Sequence, residues 1–330
     1  MLWLITIIVL ALIFDYINGM HDAANAIATG ISTKALSPRV AIIMAASLNF
    51  LGAFLSTAVA KTIGGDIADA SVIQTSTVAA ALVAAIIWNL ITWAKGIPSS
   101  SSHAMIGGIV GAVIVANGPS VLKAPGLIKI LKALVLSPLV GFSLGFVVMV
   151  ALMWIFRNAA PGKLNRRFKV MQLFSAAFLA TSHGSNDAQK SMGIIAMALV
   201  AAGKMDAHNM YVPWEVKVAC ACAMALGTSS GGWRIIKTMG SKMFKMQPIN
   251  GFAAEMASST VILTASHMGV PVSTTHCISG SILGVGSSKR LSAVRWGVAG
   301  QMLVAWVLTI PSAAVIGGVT VYILRLFIQH

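Results

Sequence analysis

Two short polar stretches, set among long apolar ones, carry side chains of this sequence that could do chemistry. NGMHDAANA occupies residues 18–26, a few residues after the apolar start MLWLITIIVLALIF, and HGSNDAQKS occupies residues 183–191. Each stretch holds one aspartate, Asp22 in the first and Asp187 in the second. An ionisable side chain inside a membrane is costly and is functional by default. We therefore expect both aspartates to bind something.

The groups beside the two aspartates predict a site for a small cation. Asn18 and Asn25 lie about one helical turn from Asp22, on the same face, and hard cations such as Na⁺ prefer amide and carboxylate oxygens. Lys190 stands where the second stretch would place Asn25; it could neutralise Asp187 or reach toward an anion. The predicted cation-binding and coupling residues are Asn18, Asp22, Asn25, Asn186, Asp187, Gln189 and Lys190, with Na⁺ candidates at Asp22, Asn25 and Asp187.

Two hydroxyl-rich stretches predict a site for an anion. GIPSSSSHAMIGGIVG (96–111) and GVPVSTTHCISGSILG (269–284) each place a proline and a run of hydroxyls before a helix rich in small residues. A helix that starts there presents free N–H groups and its positive dipole end, which suits a tetrahedral oxyanion. The alternative is that the hydroxyls merely cap the helix or bond neighbouring helices; the pairing of two such stretches favours a ligand site. The predicted anion-binding residues are Ser99, Ser100, Ser101, Ser102 and His103 (the first tip) and Ser273, Thr274, Thr275 and His276 (the second tip), with the two histidines expected to orient the tips rather than bind a metal.

A bound anion would lie close to the two acids, so their negative charges must be balanced. At ~4 Å and an effective dielectric constant near 20, a carboxylate repels an anion by several kcal/mol. Asp22 and Asp187 therefore need a cation or a proton before an anion can stay. Glu255, in AAEMASST, is a third acid in a membrane segment, and Leu82 stands at its matching position. It is a candidate for proton coupling or a further cation, with a buried ion pair as the alternative.

The polar stretches reveal an internal repeat. The Asp22 motif recurs at Asp187, after half the length of the chain, and the first hydroxyl stretch recurs after nearly the same interval, in the same order. We therefore predict a first membrane repeat at 1–156, a basic cytoplasmic linker at 157–169, and a second, inverted membrane repeat at 170–330.

Composition predicts an all-α, polytopic membrane protein. Hydrophobic residues make up 57% of the chain and charged residues 9%, against roughly 25% charged in soluble domains. The uncharged run 133–156 exceeds the ~20 residues that a membrane helix needs. A cleaved signal peptide is not expected, because no basic region precedes the first apolar run, and Asp15 and His21 follow it.

The net charge of +15 indicates topology rather than nucleic-acid binding. Basic residues cluster at 157–169, 234–245 and 289–295, and such loops stay in the cytoplasm. We expect the N-terminus outside and an odd number of crossings in each half, which inverts the second half. We expect a second helix at about 40–60 and an interfacial stretch around 123–132. Hairpins at 71–118 and 249–286 would then enter from opposite faces and meet near the midplane, the plan of secondary transporters.

The stretches NGMHDAANAIATGIS, SHGSNDAQKSMGIIAMAL, GIPSSSSHAMIGG and GVPVSTTHCISG strongly resemble the inorganic phosphate transporter (PiT) family, in order and in both halves. The resemblance implies phosphate import by symport with Na⁺ or H⁺, by alternating access, with the Asp motifs and the two tips forming the site. It implies no organic cofactor and no enzymatic activity. The short linker is typical of a prokaryotic member, so we expect a multi-pass protein of the inner membrane.

Three other functions stay open at this stage. Relatives in the same family move sulfate, which is also a tetrahedral anion. An anion channel would also use helix N-termini, but it has no need of two buried aspartates on opposed repeats. A membrane enzyme acting on phosphate esters lacks a nucleophile–base spacing in this sequence. The expected partners are inorganic phosphate, Na⁺ or H⁺, and membrane lipid, without nucleic acid; a homodimer is left open.

Overall fold

A computed structural model describes residues 2–69 and 72–328. These residues are built from α-helices, joined by short loops and by single turns of tighter or wider helix. The prediction of an all-α protein is confirmed. The helices are α1 (Leu2–Ser32), α2 (Pro38–Gly52), α3 (Ala58–Gly65), α4 (Thr75–Lys95), α5 (Ser101–Asn117), α6 (Ala124–Ile155), α7 (Pro161–Ala201), α8 (Trp214–Ser230), α9 (Trp233–Lys237), α10 (Pro248–His267), α11 (Thr274–Lys289) and α12 (Trp296–Ile328).

Four helices within the described ranges are long and apolar enough to cross a membrane: Trp3–Ser32, Thr75–Lys95, Ala124–Ile155 and Trp296–Phe327. In α6 and α12 only 33% of the apolar window is buried. Their remaining faces expose large apolar side chains, such as Val135 and Val307. Apolar surface on this scale is stable against lipid rather than water. The prediction of a polytopic helical membrane protein is confirmed.

The structure corrects one expected helix, the second. The single helix expected at 40–60 is two helices, because α2 ends at Gly52 and α3 begins at Ala58. The side-chain oxygen of Gln189, on α7, accepts hydrogen bonds from the backbone N–H groups of Val59 (2.8 Å) and Ala60 (3.2 Å). These N–H groups lack partners within α3, so α7 stabilises the break from outside.

Two further segments are more helical than predicted. Helix α6 starts at Ala124, with a proline in its first turn, so most of the stretch 123–132 expected at the interface is the beginning of α6. Helix α7 starts at Pro161, so most of the linker 157–169 is its first turns. Proline is favoured at the first helical position, but this preference was not applied to these two segments. The domain boundaries themselves stay a prediction.

The two predicted hairpins are present as helix pairs, α4–α5 and α10–α11. Both reverse the chain through a glycine in the left-handed region, Gly96 (φ 66°) and Gly269 (φ 66°), where a Cβ would be strained. In both, a hydroxyl then starts the returning helix: Ser100 accepts from the N–H of His103, and Ser273 from that of His276. The same local chemistry therefore places each tip at the N-terminus of a helix.

Helices of one half pack mainly against helices of the other, and the contacts occur in matching pairs. Helix α1 packs on α8 as α7 does on α2, and α5 packs on α12 as α11 does on α6. Glycines at matching positions allow the approach: a Cβ on Gly19 would overlap the carbonyl oxygen of Met224, and one on Gly184 would overlap that of Asn49. The matched packing agrees with two related halves; their opposite orientation in the membrane stays a prediction.

We expect Gly111→Ala to destabilise the contact between α5 and α12. A Cβ at position 111 would overlap the carbonyl oxygen of Ala314, so the helices must separate, at a cost of about 1–3 kcal/mol. Thermal unfolding in detergent measures the loss. Gly300→Ala is the control, because nothing lies within 4 Å of a Cβ there; equal stability of the two variants would contradict the expectation.

Candidate functional site

The two tips meet at Asp22. The hydroxyl of Ser101, in the first tip, donates to Oδ2 of Asp22 at 3.0 Å, and the hydroxyl of Thr275, in the second, donates to Oδ1 at 3.3 Å. All three residues are buried, with at most 1% of their surface exposed. Tips from different halves of the chain therefore converge on one carboxylate.

Asp187 also connects to both tips, to the first through Lys190 and to the second directly. Lys190 donates to Oδ1 of Asp187 at 2.8 Å, and its Nζ also lies 3.4 Å from the hydroxyl of Ser101. Thr274 donates to Oδ2 of Asp187 at 3.2 Å. Lys190 is fully buried, so its charge is not shared with water. The ammonium group therefore pairs with Asp187 and lies within reach of the first tip, and both roles considered for Lys190 stay predictions.

Two asparagines of α1 leave oxygens open beside the acids. Asn25 donates to the hydroxyls of Thr274 (3.2 Å) and Thr275 (2.9 Å), while its Oδ1 has no partner. The Oδ1 of Asn18 is also buried and unpartnered. Buried acceptors without a donor are costly, and unpaired carbonyl oxygens beside carboxylates are ligands suited to a hard cation.

A histidine lies beside each aspartate, and neither histidine was among the predicted site residues. His21 Nδ1 lies 2.7 Å from Asp22, and its Nε2 lies 3.1 Å from Thr92. His183 Nε2 lies 3.3 Å from Asp187. Ligand atoms of Asp22, His183 and Asp187 lie within 4.8 Å of one another. The motif carried a signal for this, because histidine and asparagine exchange positions between NGMHD and HGSND.

Several predicted residues hold the tips in place. The side chains of Ser100 and Ser273 cap α5 and α11, and Ser102 donates to the carbonyl oxygen of Val272 at 3.2 Å, which ties one tip to the other. Ser99 donates to Thr92 at 2.8 Å. These four hydroxyls therefore support the tips, while Ser101, Thr274 and Thr275 contact the acids; anion binding by any of them stays a prediction.

Two predicted cation ligands on α7 donate or accept hydrogen bonds at other helices. The side-chain oxygen of Gln189 accepts hydrogen bonds from the start of α3, as described above, and its side-chain nitrogen donates to the carbonyl oxygen of Ser185. Asn186 donates to the hydroxyl of Ser266 on α10 at 2.9 Å. The oxygen of Gln189 thus supports the start of α3 in this structure, and its assignment to the cation site stays a prediction. The spacing in the sequence could not distinguish these directions, because neighbouring positions on α7 face different helices.

The two tip histidines lie against each other rather than on the acids. The rings of His103 and His276 have centroids 4.5 Å apart, and His276 stacks on Trp306 at 3.8 Å. Both line a cavity of about 600 Å³ between α6 and α12, whose other lining residues are mostly apolar. Their ring contacts join the two tips, in agreement with an orienting role.

Glu255 forms a separate polar cluster. It accepts hydrogen bonds from Thr29 (2.6 Å), Gln172 (2.8 Å) and Ser175, and it is fully buried. None of the ion pairs found among residues 2–69 and 72–328 involves Glu255. The alternative of a buried ion pair is therefore wrong, and the two candidate roles, proton or cation coupling, stay predictions. Thr29 lies one turn beyond Asn25 on α1 and places this acid near the cluster.

The comparisons with known proteins show the family of this chain. A model described as "Phosphate transporter family" matches residues 18–317. A protein of Bacillus subtilis (strain 168) named "Probable low-affinity inorganic phosphate transporter" is 52% identical over 98% of this chain and 97% of its own. A protein of the same name from Rhizobium meliloti (strain 1021) is 47% identical over 95% of this chain and 94% of its own.

A solved structure, "The sodium-dependent phosphate transporter", superposes with a TM-score of 0.92 at 25% identity, covering 99% of this chain and all of that one. The chain therefore shares its fold with a solved phosphate transporter. The chain belongs to the phosphate transporter family. The predicted resemblance, and the prediction of a transporter rather than an enzyme, are confirmed.

We expect Lys190→Met to destabilise the protein by about 3–5 kcal/mol, because it leaves the buried carboxylate of Asp187 without its partner. The double variant Lys190→Met/Asp187→Asn should recover most of this loss, since it removes the unpaired charge. Unfolding in detergent measures both. Lys129→Met, at an exposed position, is the matched control; a double variant as unstable as Lys190→Met would contradict the pairing.

Proposed function

We propose that this protein imports inorganic phosphate across the inner membrane by symport with Na⁺ or H⁺, through alternating access. The observation that carries the proposal is the double contact of Asp22 with Ser101 and Thr275. This contact joins the anion-attracting ends of two hairpins to a group that must be neutralised. Anion and cation sites therefore share atoms, which is what coupling requires.

The anion would dock between the tips. The first N–H groups of α5 and α11 have no partner within their helices, and they combine with the positive ends of the two helix dipoles. The hydroxyls of Ser101, Thr274 and Thr275 can turn from the carboxylates to the anion, because a hydroxyl both donates and accepts. Lys190, 3.4 Å from Ser101, supplies a charge-assisted donor.

Coupling follows from electrostatics. Asp22 and Asp187 face the same place as the anion, and Lys190 compensates only one of the two. A cation on Asp22, held also by the open oxygens of Asn18 and Asn25, would remove the remaining repulsion. An anion that binds without the cation would add a second uncompensated buried charge, whereas a cation bound together with a monovalent anion returns the site to the net charge of its empty state.

The orientation follows from the basic clusters. With 157–169, 234–245 and 289–295 in the cytoplasm, the N-terminus lies outside and the hairpins enter from opposite faces. The site would then lie near the midplane, as in other inverted-repeat transporters.

Phosphate is favoured over sulfate by the acceptors at the site. Protonated phosphate can donate a hydrogen bond, and sulfate cannot. The carboxylate of Asp22 and the free Oδ1 of Asn25 would accept such a bond. Uptake of labelled phosphate into proteoliposomes, with excess unlabelled sulfate and with either a Na⁺ or a pH gradient, tests substrate and ion together. Accumulation abolished by sulfate would assign the protein to sulfate, and flux without accumulation would make it a channel.

We expect Asp22→Asn to lose coupled accumulation. Under an imposed tenfold cation gradient, each coupled cation raises the equilibrium accumulation ratio about tenfold, and the amide cannot balance a cation. Asp66→Asn is the control, because Asp66 is exposed on a loop. Asp22→Asn that keeps coupled uptake at full rate would falsify this mechanism.

We expect Glu255→Gln to reduce gradient-driven accumulation without abolishing phosphate binding. The amide keeps the size of the side chain but removes the charge that Thr29, Gln172 and Ser175 stabilise. Accumulation and phosphate-dependent thermal stabilisation are measured on the same preparations. Glu215→Gln, at the exposed start of α8, is the matched control. Undiminished accumulation would assign Glu255 to structural support alone.

A further inference from the structure

The apolar cavity between α6 and α12 has no role in the mechanism proposed so far. Its volume of about 600 Å³ is within the range of cavities that hold small organic ligands. Four of its lining residues, Val135, Leu139, Leu303 and Val307, each leave more than half of their surface exposed. They lie on the faces of α6 and α12 that suit lipid, so the cavity opens toward lipid rather than toward water.

The cavity extends along α12 from the start of this helix to the tips of the hairpins. Trp296, the first residue of α12, lines it, and so does Trp306, which stacks on His276 of the second tip. Trp306 lies ten residues after Trp296. This is about 15 Å along a helix, or about half the thickness of the hydrocarbon core of a bilayer. An acyl chain that enters beside Trp296 would therefore reach the tips.

The end of the cavity at Trp296 adjoins a basic pocket. The indole N–H of Trp296 donates to the carbonyl oxygen of Leu291 at 2.9 Å. Arg290, the residue before Leu291, lines a second cavity of about 480 Å³ together with Lys245 and Lys289; these three residues define the basic pocket. Tryptophan is enriched where membrane helices leave the lipid, so the basic pocket lies at the level of the lipid headgroups.

The cations of the basic pocket have no anionic partner in the protein. None of the ion pairs in the part of the chain that the structure describes involves Lys245, Lys289 or Arg290. All three residues are exposed, and no acid lines this cavity. Basic pockets at the ends of membrane helices attract the headgroups of anionic lipids.

A phospholipid fits both cavities, whereas other occupants fit one of them. A free phosphate ion would be attracted by the basic pocket but gains nothing from apolar walls. A second copy of this chain would cover the apolar faces of α6 and α12 but offers few anions, because the chain has 8 acidic residues against 23 basic ones. An anionic phospholipid supplies an anion and an acyl chain in one molecule.

We propose that an anionic phospholipid binds here, with its headgroup phosphate in the basic pocket and one acyl chain in the apolar cavity. The phosphate oxygens accept charge-assisted hydrogen bonds from Lys245, Lys289 and Arg290. The chain ends against the rings of His103 and His276, which join the two tips. Because the lipid binds the arrangement in which these rings meet, it stabilises that arrangement. This inference goes beyond the proposed function and does not depend on it.

The headgroup is tested on purified full-length protein in detergent, with phosphatidylglycerol and with phosphatidylcholine of the same chains as the neutral probe. A lipid that binds the folded protein raises its unfolding temperature as its concentration rises, which gives the affinity. Each Lys or Arg near an anionic headgroup contributes about fivefold, so we expect phosphatidylglycerol to bind on the order of a hundredfold more tightly. Equal affinities for the two lipids would overturn the proposal.

A double variant tests the basic pocket itself. Lys289→Gln/Arg290→Gln removes two of its cations and should weaken phosphatidylglycerol binding about 25-fold. Lys163→Gln/Arg166→Gln is the matched control, because it removes one exposed lysine and one exposed arginine from the basic stretch 157–169. The control should keep the affinity; an equal loss in both double variants would show attraction to the whole basic surface and contradict a site.

The acyl chain is tested by filling its cavity. Gly300 lines the cavity and Gly297 does not, and nothing lies within 4 Å of a Cβ at either position. Gly300→Leu should weaken phosphatidylglycerol binding about tenfold, because the leucine displaces methylene groups of the chain, each of which contributes about fourfold. Gly297→Leu makes the same change on the same helix and should keep the affinity. Equal affinities of these two variants would exclude the chain from this cavity.

Two other results would assign the cavities to a different occupant, and either would overturn the proposal. Glycerol phosphate, which has no acyl chain, should stabilise the protein far less than phosphatidylglycerol does; equal stabilisation would make the basic pocket a site for free phosphate esters. If Gly300→Leu turned a dimer into a monomer in light scattering, the apolar faces would be an interface between copies. Because binding is measured without transport, a failure of the proposed phosphate uptake would leave the lipid site intact.

Discussion

The hydrogen bonds from Ser101 and Thr275 to Asp22 are the contact on which the rest of the structure depends. A buried carboxylate is stable only where donors or a positive charge meet it. The first half of the chain supplies Ser101 and His21, and the second half supplies Thr275, so both halves contribute partners to Asp22. A rearrangement that separates the tips must first give this carboxylate another partner.

Close packing between the halves restricts how such a rearrangement can occur. Gly107 and Gly111 let α5 approach the carbonyl oxygens of α12, and Gly280 and Gly284 do the same for α11 on α6. Interfaces of small residues let helix backbones come close in membranes. Because there is little free space at these contacts, we expect each tip to move together with the long helix on which it packs.

The sequence predicted the parts of this site that depend on one helix and missed those that depend on two. Local chemistry predicts the hairpins and the caps at Ser100 and Ser273. It also marks Asp22 as an ionisable residue in a membrane segment. The direction of Gln189 does not follow from local chemistry, because the start of α3 that it caps is distant in the chain. The exchange of histidine and asparagine between the two motifs was visible in the sequence, but the contacts of His21 and His183 with the aspartates appear only in the folded chain. Asp15 was also visible, shortly before Asn18, but only the packed structure shows that it is fully buried.

The differences between the halves explain why the protein cannot work as two equal sites. The described residues include four fully or almost fully buried acids, Asp15, Asp22, Asp187 and Glu255, and one buried lysine, Lys190. Lys190 takes the place that Asn25 holds in the first half, so the second half has a cation tethered to its own backbone. Lys190 is tethered and cannot leave with an anion, so in the proposed mechanism the mobile cation would bind at Asp22, whose half of the chain has no such lysine.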